Sequence, residues 1–132
     1  MATNLVFFNC HRGITFCYNQ GDIRDVMVSN TIIKTHMTTG NWWGKAEPIV
    51  MYYHSGDKNP VPPGSIIENI TFSNIRAISE GGIVLWSKVP GNIRNITIRD
   101  WDFSLVVGEN LMAYGGNFDF RGDPDIYEIV QT

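Results

Sequence analysis

The chain has 132 residues with 10 Lys and Arg against 13 Asp and Glu, a formal net charge of −3, which is enough for one domain with a core and too little for two. Ile (16) and Val (10) far outnumber Leu (4) and Ala (4), so a helix bundle is excluded in favour of an all-β protein. A mildly acidic chain without basic clusters argues against nucleic acid or an anionic membrane as partner, and no apolar run is long enough for a transmembrane helix.

The opening residues, Met1 to Leu5, lack the basic and apolar regions of a secretory signal, which leaves the compartment unassigned. The first predicted strand is Ala2-Thr-Asn-Leu-Val-Phe-Phe-Asn9. It aligns without gaps with Ile23-Arg-Asp-Val-Met-Val-Ser-Asn30, Ile67-Glu-Asn-Ile-Thr-Phe-Ser-Asn74 and Ile93-Arg-Asn-Ile-Thr-Ile-Arg-Asp100. In each segment the fourth and sixth positions are apolar, two apart, and are expected to face a core. The third and eighth positions are Asn or Asp, which suit corners because their side chains bond local backbone and tolerate left-handed geometry. The segment starts at 2, 23, 67 and 93 imply a period in the low twenties. That period, carried by β-branched strands, predicts stacked coils of a parallel β-helix solenoid.

A second apolar strand follows each repeat, at Arg12–Tyr18, Glu47–Tyr53 and Gly82–Ser87, with Ile14, Ile49 and Ile83 as matching positions. The long coil between 23 and 67 carries two predicted surface insertions, about 35–45 and 55–63, rich in Gly, Pro, Asn and Trp. After Asp100 the pattern decays, and the Gly-rich tail reads as an ending. The whole chain, 1–132, is taken as a single β-helix domain. Cys10 and Cys17 are expected to be small buried side chains. His11, His36 and His54 lie too far apart for zinc spacing, so no metal or cofactor is expected.

Three stretches are similar to a known family: Asn9–Ile14 leading into Gly21–Asn30, the block Thr39-Gly-Asn-Trp-Trp-Gly-Lys-Ala-Glu-Pro-Ile49, and the repeats Ile67–Asn74 and Ile93–Asp100. Together they resemble the right-handed parallel β-helix proteins of the pectin-lyase-like superfamily, nearest to the polygalacturonase-type glycoside hydrolases of family 28. The resemblance implies a right-handed parallel β-helix of about four coils and a pectin-like polysaccharide or oligosaccharide as partner. It covers only the C-terminal part of the family's usual length. The family's Asn-Thr-Asp, Asp-Asp and Gly-His-Gly elements would fall ahead of residue 1. Thr15 and Cys17 stand where its Arg-Ile-Lys element would need Arg and Lys. The resemblance therefore transfers no catalytic residue, and the chain is expected to be the last coils of a longer solenoid, inactive alone.

The residues left to contact sugar are Arg12, Trp42, Trp43 and Glu47. Trp42 and Trp43 lie in a Gly-flanked loop, where exposed indoles stack on sugar rings or close over the coil's flank as a lid. Arg12 and Glu47 open matching second strands, placing them one coil apart on one face. There they either grip hydroxyls and acidic sugars or form a structural ion pair. Glu47 is also the one candidate for acid–base catalysis, with Asp57 and Asp22 as conceivable second carboxylates. The rival reading is a non-catalytic glycan-binding or self-assembling module. Strand edges left open at the ends predict association into homo-oligomers.

Overall fold

A computed structural model describes residues 1–18, 21–37, 46–53, 66–87, 91–106 and 126–129. The strands are β1 (Ala2–Cys10), β2 (Ile14–Tyr18), β3 (Ile23–Thr35), β4 (Ile49–Tyr53), β5 (Ile67–Ser79), β6 (Ile83–Ser87), β7 (Ile93–Leu105) and β8 (Ile126–Ile129). The protein is all-β, with no helix among the described residues and so none there long and apolar enough to cross a membrane. The chain alternates between two four-stranded sheets, ordered β1-β3-β5-β7 and β2-β4-β6-β8. Every pairing is parallel except the last, where β8 runs antiparallel to β6.

The long strands are bent where the sequence places Asn and Asp. Asp25, Asn69 and Asn95 take φ of 56°, 57° and 53°, and Asn4, Asn30, Asn74 and Asp100 take 58°, 52°, 53° and 52°. These are left-handed conformations that Asn and Asp tolerate better than other residues bearing a Cβ. The corner side chains then bond from strand to strand. Asn69 Nδ2 donates to Asp25 Oδ1 at 3.0 Å and Asn95 Nδ2 to Asn69 Oδ1 at 2.6 Å. In the second column Asn74 Nδ2 donates to Asn30 Oδ1 at 2.8 Å, and Asn30 Nδ2 to Asn4 Oδ1 at 3.4 Å.

Between corners, period-two alternation sends Val28, Ile33, Ile70, Phe72, Ile75 and Ala77 inward, where they meet Ile49, Met51 and Ile83 from the second sheet. Phe16 closes on Phe72 edge to face, with centroids 6.0 Å apart, a favourable aromatic geometry. On the outer face, at the second position of the repeat, Arg24 stands opposite Glu68 and Glu68 opposite Arg94. Both guanidiniums reach the Glu68 carboxylate at 2.6 Å.

The register corrects the sequence alignment at one end. Ile23, Ile67 and Ile93 are matched as expected, and Ile14 matches Ile49. Ala2, however, stands opposite Val28 and Leu5 opposite Thr31, so the first repeat is displaced by one corner-to-corner segment. Asn4 therefore belongs to the column of Asn30, not of Asp25, and the step from β1 to β3 is 26 residues, like that from β5 to β7. The cause is a pattern repeated within each strand: a corner residue, then inward side chains one and three positions on. Asp25 is followed by Val26 and Val28, Asn30 by Thr31 and Ile33, and Asn4 by Leu5 and Phe7, so a gapless alignment fits in two registers. Asn9, also left-handed at φ 55°, is not a repeat corner but part of the irregularity between Phe8 and Cys10.

The cysteines are a second correction, since Cys10 is only half-buried and Cys17 is exposed. With Ile14 and Phe16 packed on the core, alternation turns Cys17 outward. Of the predicted insertions, Thr35 closes β3 and His36 and Met37 follow it; residues 38–45 and 55–63 lie outside the described residues.

Candidate functional site

The segments joining the first sheet to the second stack on one another and form a polar corner. Gly13 N–H donates to Glu47 O at 3.1 Å and Ile14 N–H to Pro48 O at 2.9 Å, carrying the parallel ladder around the turn. This close approach requires glycine: a Cβ on residue 13 would lie 2.3 Å from Pro48 O and 2.8 Å from Ile33 Cγ2. The stacking brings Arg12 and Glu47 together, Nε to Oε2 at 3.2 Å, with side chains 16% and 2% exposed. Glu47 follows Ala46, a buried residue at φ 58°, a left-handed conformation costly for a residue other than Gly, Asn or Asp. Thr35 Oγ1 donates to Ala46 O at 2.6 Å and fixes it.

In the next layer, after β5, Ser79 Oγ donates to Gly81 O at 2.7 Å, and the Glu80 carboxylate accepts Met37 N–H at 2.7 Å. Residue 81 stands two before Ile83, as Glu47 does before Ile49, so Gly81 and not Gly82 is the counterpart of Glu47. The corner's hydrogen bonds thus tie the Glu80 carboxylate and the Thr35 and Ser79 hydroxyls to neighbouring backbone, and the Glu47 carboxylate to Arg12. Buried polar groups need such partners, and Glu47, so enclosed, presents almost no surface to solvent.

Of the other sequence candidates, Trp42, Trp43 and Asp57 lie outside the described residues. Asp22 is held elsewhere, ahead of β3. Its carboxylate accepts Arg24 Nη2 at 2.8 Å and Nε at 3.1 Å, and Ile66 N–H at 3.1 Å. The Arg24 hydrogen bond, helped by Ile66 N–H, holds its pKa below the usual carboxylate value against a smaller opposing effect of desolvation. A group kept ionised in this way is unsuited to general-acid chemistry. Among the described residues no cluster of three or more His, Cys, Asp or Glu is placed to hold a metal ion.

Sequence reasoning missed a second surface, mixed polar and apolar, on the outside of the first sheet. Asn30, Thr31, Ile32, Asn74 and Arg76 line a shallow depression of about 260 Å³. Arg76 is exposed, and its cross-strand neighbours are Ile32 and Asp102. Beside it, Val6 and Phe8 are 69% and 63% exposed, and Lys34 Nζ lies 5.3 Å from the Phe8 ring centroid, a cation–π arrangement. Asn30 and Asn74 at the last repeat position were the available signal; both are exposed while their amides bond along the corner column. In comparisons with known proteins, no family model, no curated protein and no solved structure matches the chain.

Proposed function

We propose that the chain forms about four coils of a right-handed parallel β-helix and serves as a non-catalytic scaffold that contacts carbohydrate. The observation that carries the non-catalytic part is the position of Glu47, 2% exposed and paired with Arg12. Glycoside hydrolysis needs two carboxyl groups facing each other across the scissile bond, and Glu47 has no face to offer one. Two columns of strands visited alternately support the β-helix reading. Right-handedness follows the rule for parallel strands joined by a crossover.

The carbohydrate part rests on the resemblance to polygalacturonase-type hydrolases and on the outer depression. Asn30 and Asn74 supply amides suited to hydroxyl groups, Arg76 a guanidinium suited to a uronate carboxylate, and Ile32 an apolar surface for a ring face. The indoles of Trp42 and Trp43 are assigned to the same ligand class by their chemistry. A pectin-like acidic polysaccharide fits this set better than a neutral one, because Arg76 carries the only full charge among the described residues lining the depression.

The test pairs binding with turnover. Polygalacturonate and a neutral glucan are titrated by calorimetry, and reducing ends are assayed on the same samples. The expected result is binding of the acidic polymer without turnover, weakened in Arg76→Ala and in the Trp42→Ala/Trp43→Ala variant. Turnover that disappears in Glu47→Gln overturns the non-catalytic reading. Absence of binding across a broad glycan panel overturns the carbohydrate reading.

A further inference from the structure

The two end layers carry matching unsatisfied features. Among the described residues β1 and β7 each have one neighbour in their sheet, so each presents a row of backbone donors and acceptors that no described strand pairs. Their inward side chains, Ala2, Leu5 and Phe7 at one end and Ile98, Trp101 and Phe103 at the other, are packed on the core but remain partly exposed. The register places both sets in the same three columns, since Ala2, Val28, Phe72 and Ile98 are successive partners, as are Leu5, Thr31, Ile75 and Trp101, and Phe7, Ile33, Ala77 and Phe103.

The corner column adds a direction. Along it each Asn donates its Nδ2 to the Oδ1 of the preceding coil. The column starts at Asn4, whose Oδ1 accepts from Asn30 and from Thr3 and whose Nδ2 donates to none of the described residues. It ends at Asp100, an exposed carboxylate that as an ion only accepts hydrogen bonds. One end therefore holds the spare donor and the other the spare acceptor, in one column.

We propose that the β7 edge of one copy receives the β1 edge of a second copy, parallel and in the repeat's own register. Ala2, Leu5 and Phe7 of the second copy then cover Ile98, Trp101 and Phe103 of the first, and Asn4 Nδ2 donates to the Asp100 carboxylate. The contact joins two different surfaces, so it repeats from copy to copy and does not close at a dimer. It uses the stacking register and is independent of the carbohydrate reading.

The experiment is sedimentation velocity with multi-angle light scattering over a range of concentrations at low salt, on the whole 132-residue chain. The wild type is expected to show a weight-average mass that rises with concentration without a plateau at the dimer. Asn4→Asp keeps the oxygen that accepts from Asn30 but sets a carboxylate against Asp100. At low salt, repulsion between like charges at such a distance weakens association roughly tenfold, with an unchanged far-ultraviolet circular dichroism spectrum. Adding Asp100→Asn to that variant removes the repulsion and restores association. A monomer at every concentration, a mass that stops at the dimer, or an Asn4→Asp variant that associates like the wild type overturns the proposal. An Asn4→Asp effect that Asp100→Asn does not reverse overturns the pairing of these two ends.

Discussion

The interior layers, β3 with β4 and β5 with β6, and the end layers, β1 with β2 and β7 with β8, carry similar apolar patterns but differ sharply in burial. In β5 the inward residues Ile67, Ile70, Phe72, Ile75 and Ala77 are 0–1% exposed. Their partners in β7, Ile93, Ile96, Ile98, Trp101 and Phe103, are only partly buried, although they too are large and apolar. What buries a residue here is the strand stacked on each side of it, not its own strand, and among the described residues an end strand has one such neighbour only.

The contrast is most exposed to disproof at its centre. Phe72→Ala removes a fully buried ring that touches both sheets and is expected to cost about 3–5 kcal/mol. Phe7→Ala, two layers away at the end, is expected to cost less than half as much in the same urea titration. Equal losses would show that the ends are as well covered as the middle. Gly13→Ala comes next, because a Cβ there meets the Pro48 carbonyl. Shifting the corner is expected to cost about 1–3 kcal/mol by the same titration.

The corner columns sharpen the comparison further. Asn69 bonds on both sides, to Asp25 and to Asn95, so Asn69→Ala loses two hydrogen bonds and places Ala in a left-handed conformation. A loss of about 1–3 kcal/mol is expected, whereas Asn95→Ala, bonded on one side only within this column, is expected to lose less. The smallest effect is one of pH. Because Arg24 lowers the Asp22 pKa in the folded protein, Asp22 contributes stability above its unfolded value of 3.8, and that contribution is lost as the pH falls through the lower folded value. Thermal melts from pH 6 downward should show part of the acid destabilisation removed in Asp22→Asn.

Much of this architecture was legible because the corners need special residues. Only a few residue types tolerate φ near 55°, so Asn69, Asn74, Asn95 and Asp100 announced the turns, and the apolar residues between them announced the inner face. A gapless alignment misplaces β1 because the corner-and-two-inward pattern recurs inside each strand, and local pattern cannot choose between registers that satisfy it equally. Arg12 and Glu47 were expected side by side, and they are in contact; their enclosure depends on Ala46, Gly13 and Pro48 packing around the turn, which spacing does not encode. The Arg24–Glu68–Arg94 ladder was overlooked because each charge looked isolated in a linear reading, and only strand pairing makes them neighbours. The depression beside Arg76 escaped notice for the same reason.

The register of β1 against β3 sets both the corner columns and the matching of the two ends. Oxidative cross-linking tests it directly in a background carrying Cys10→Ser and Cys17→Ser. Parallel neighbours lie close to 4.8 Å apart, within the Cα separation that a disulfide spans. The register of Ala2 opposite Val28 predicts that Asn4→Cys with Asn30→Cys forms an intramolecular disulfide readily, while Asn4→Cys with Asp25→Cys does not. Efficient cross-linking of residue 4 to residue 25 instead would contradict the account.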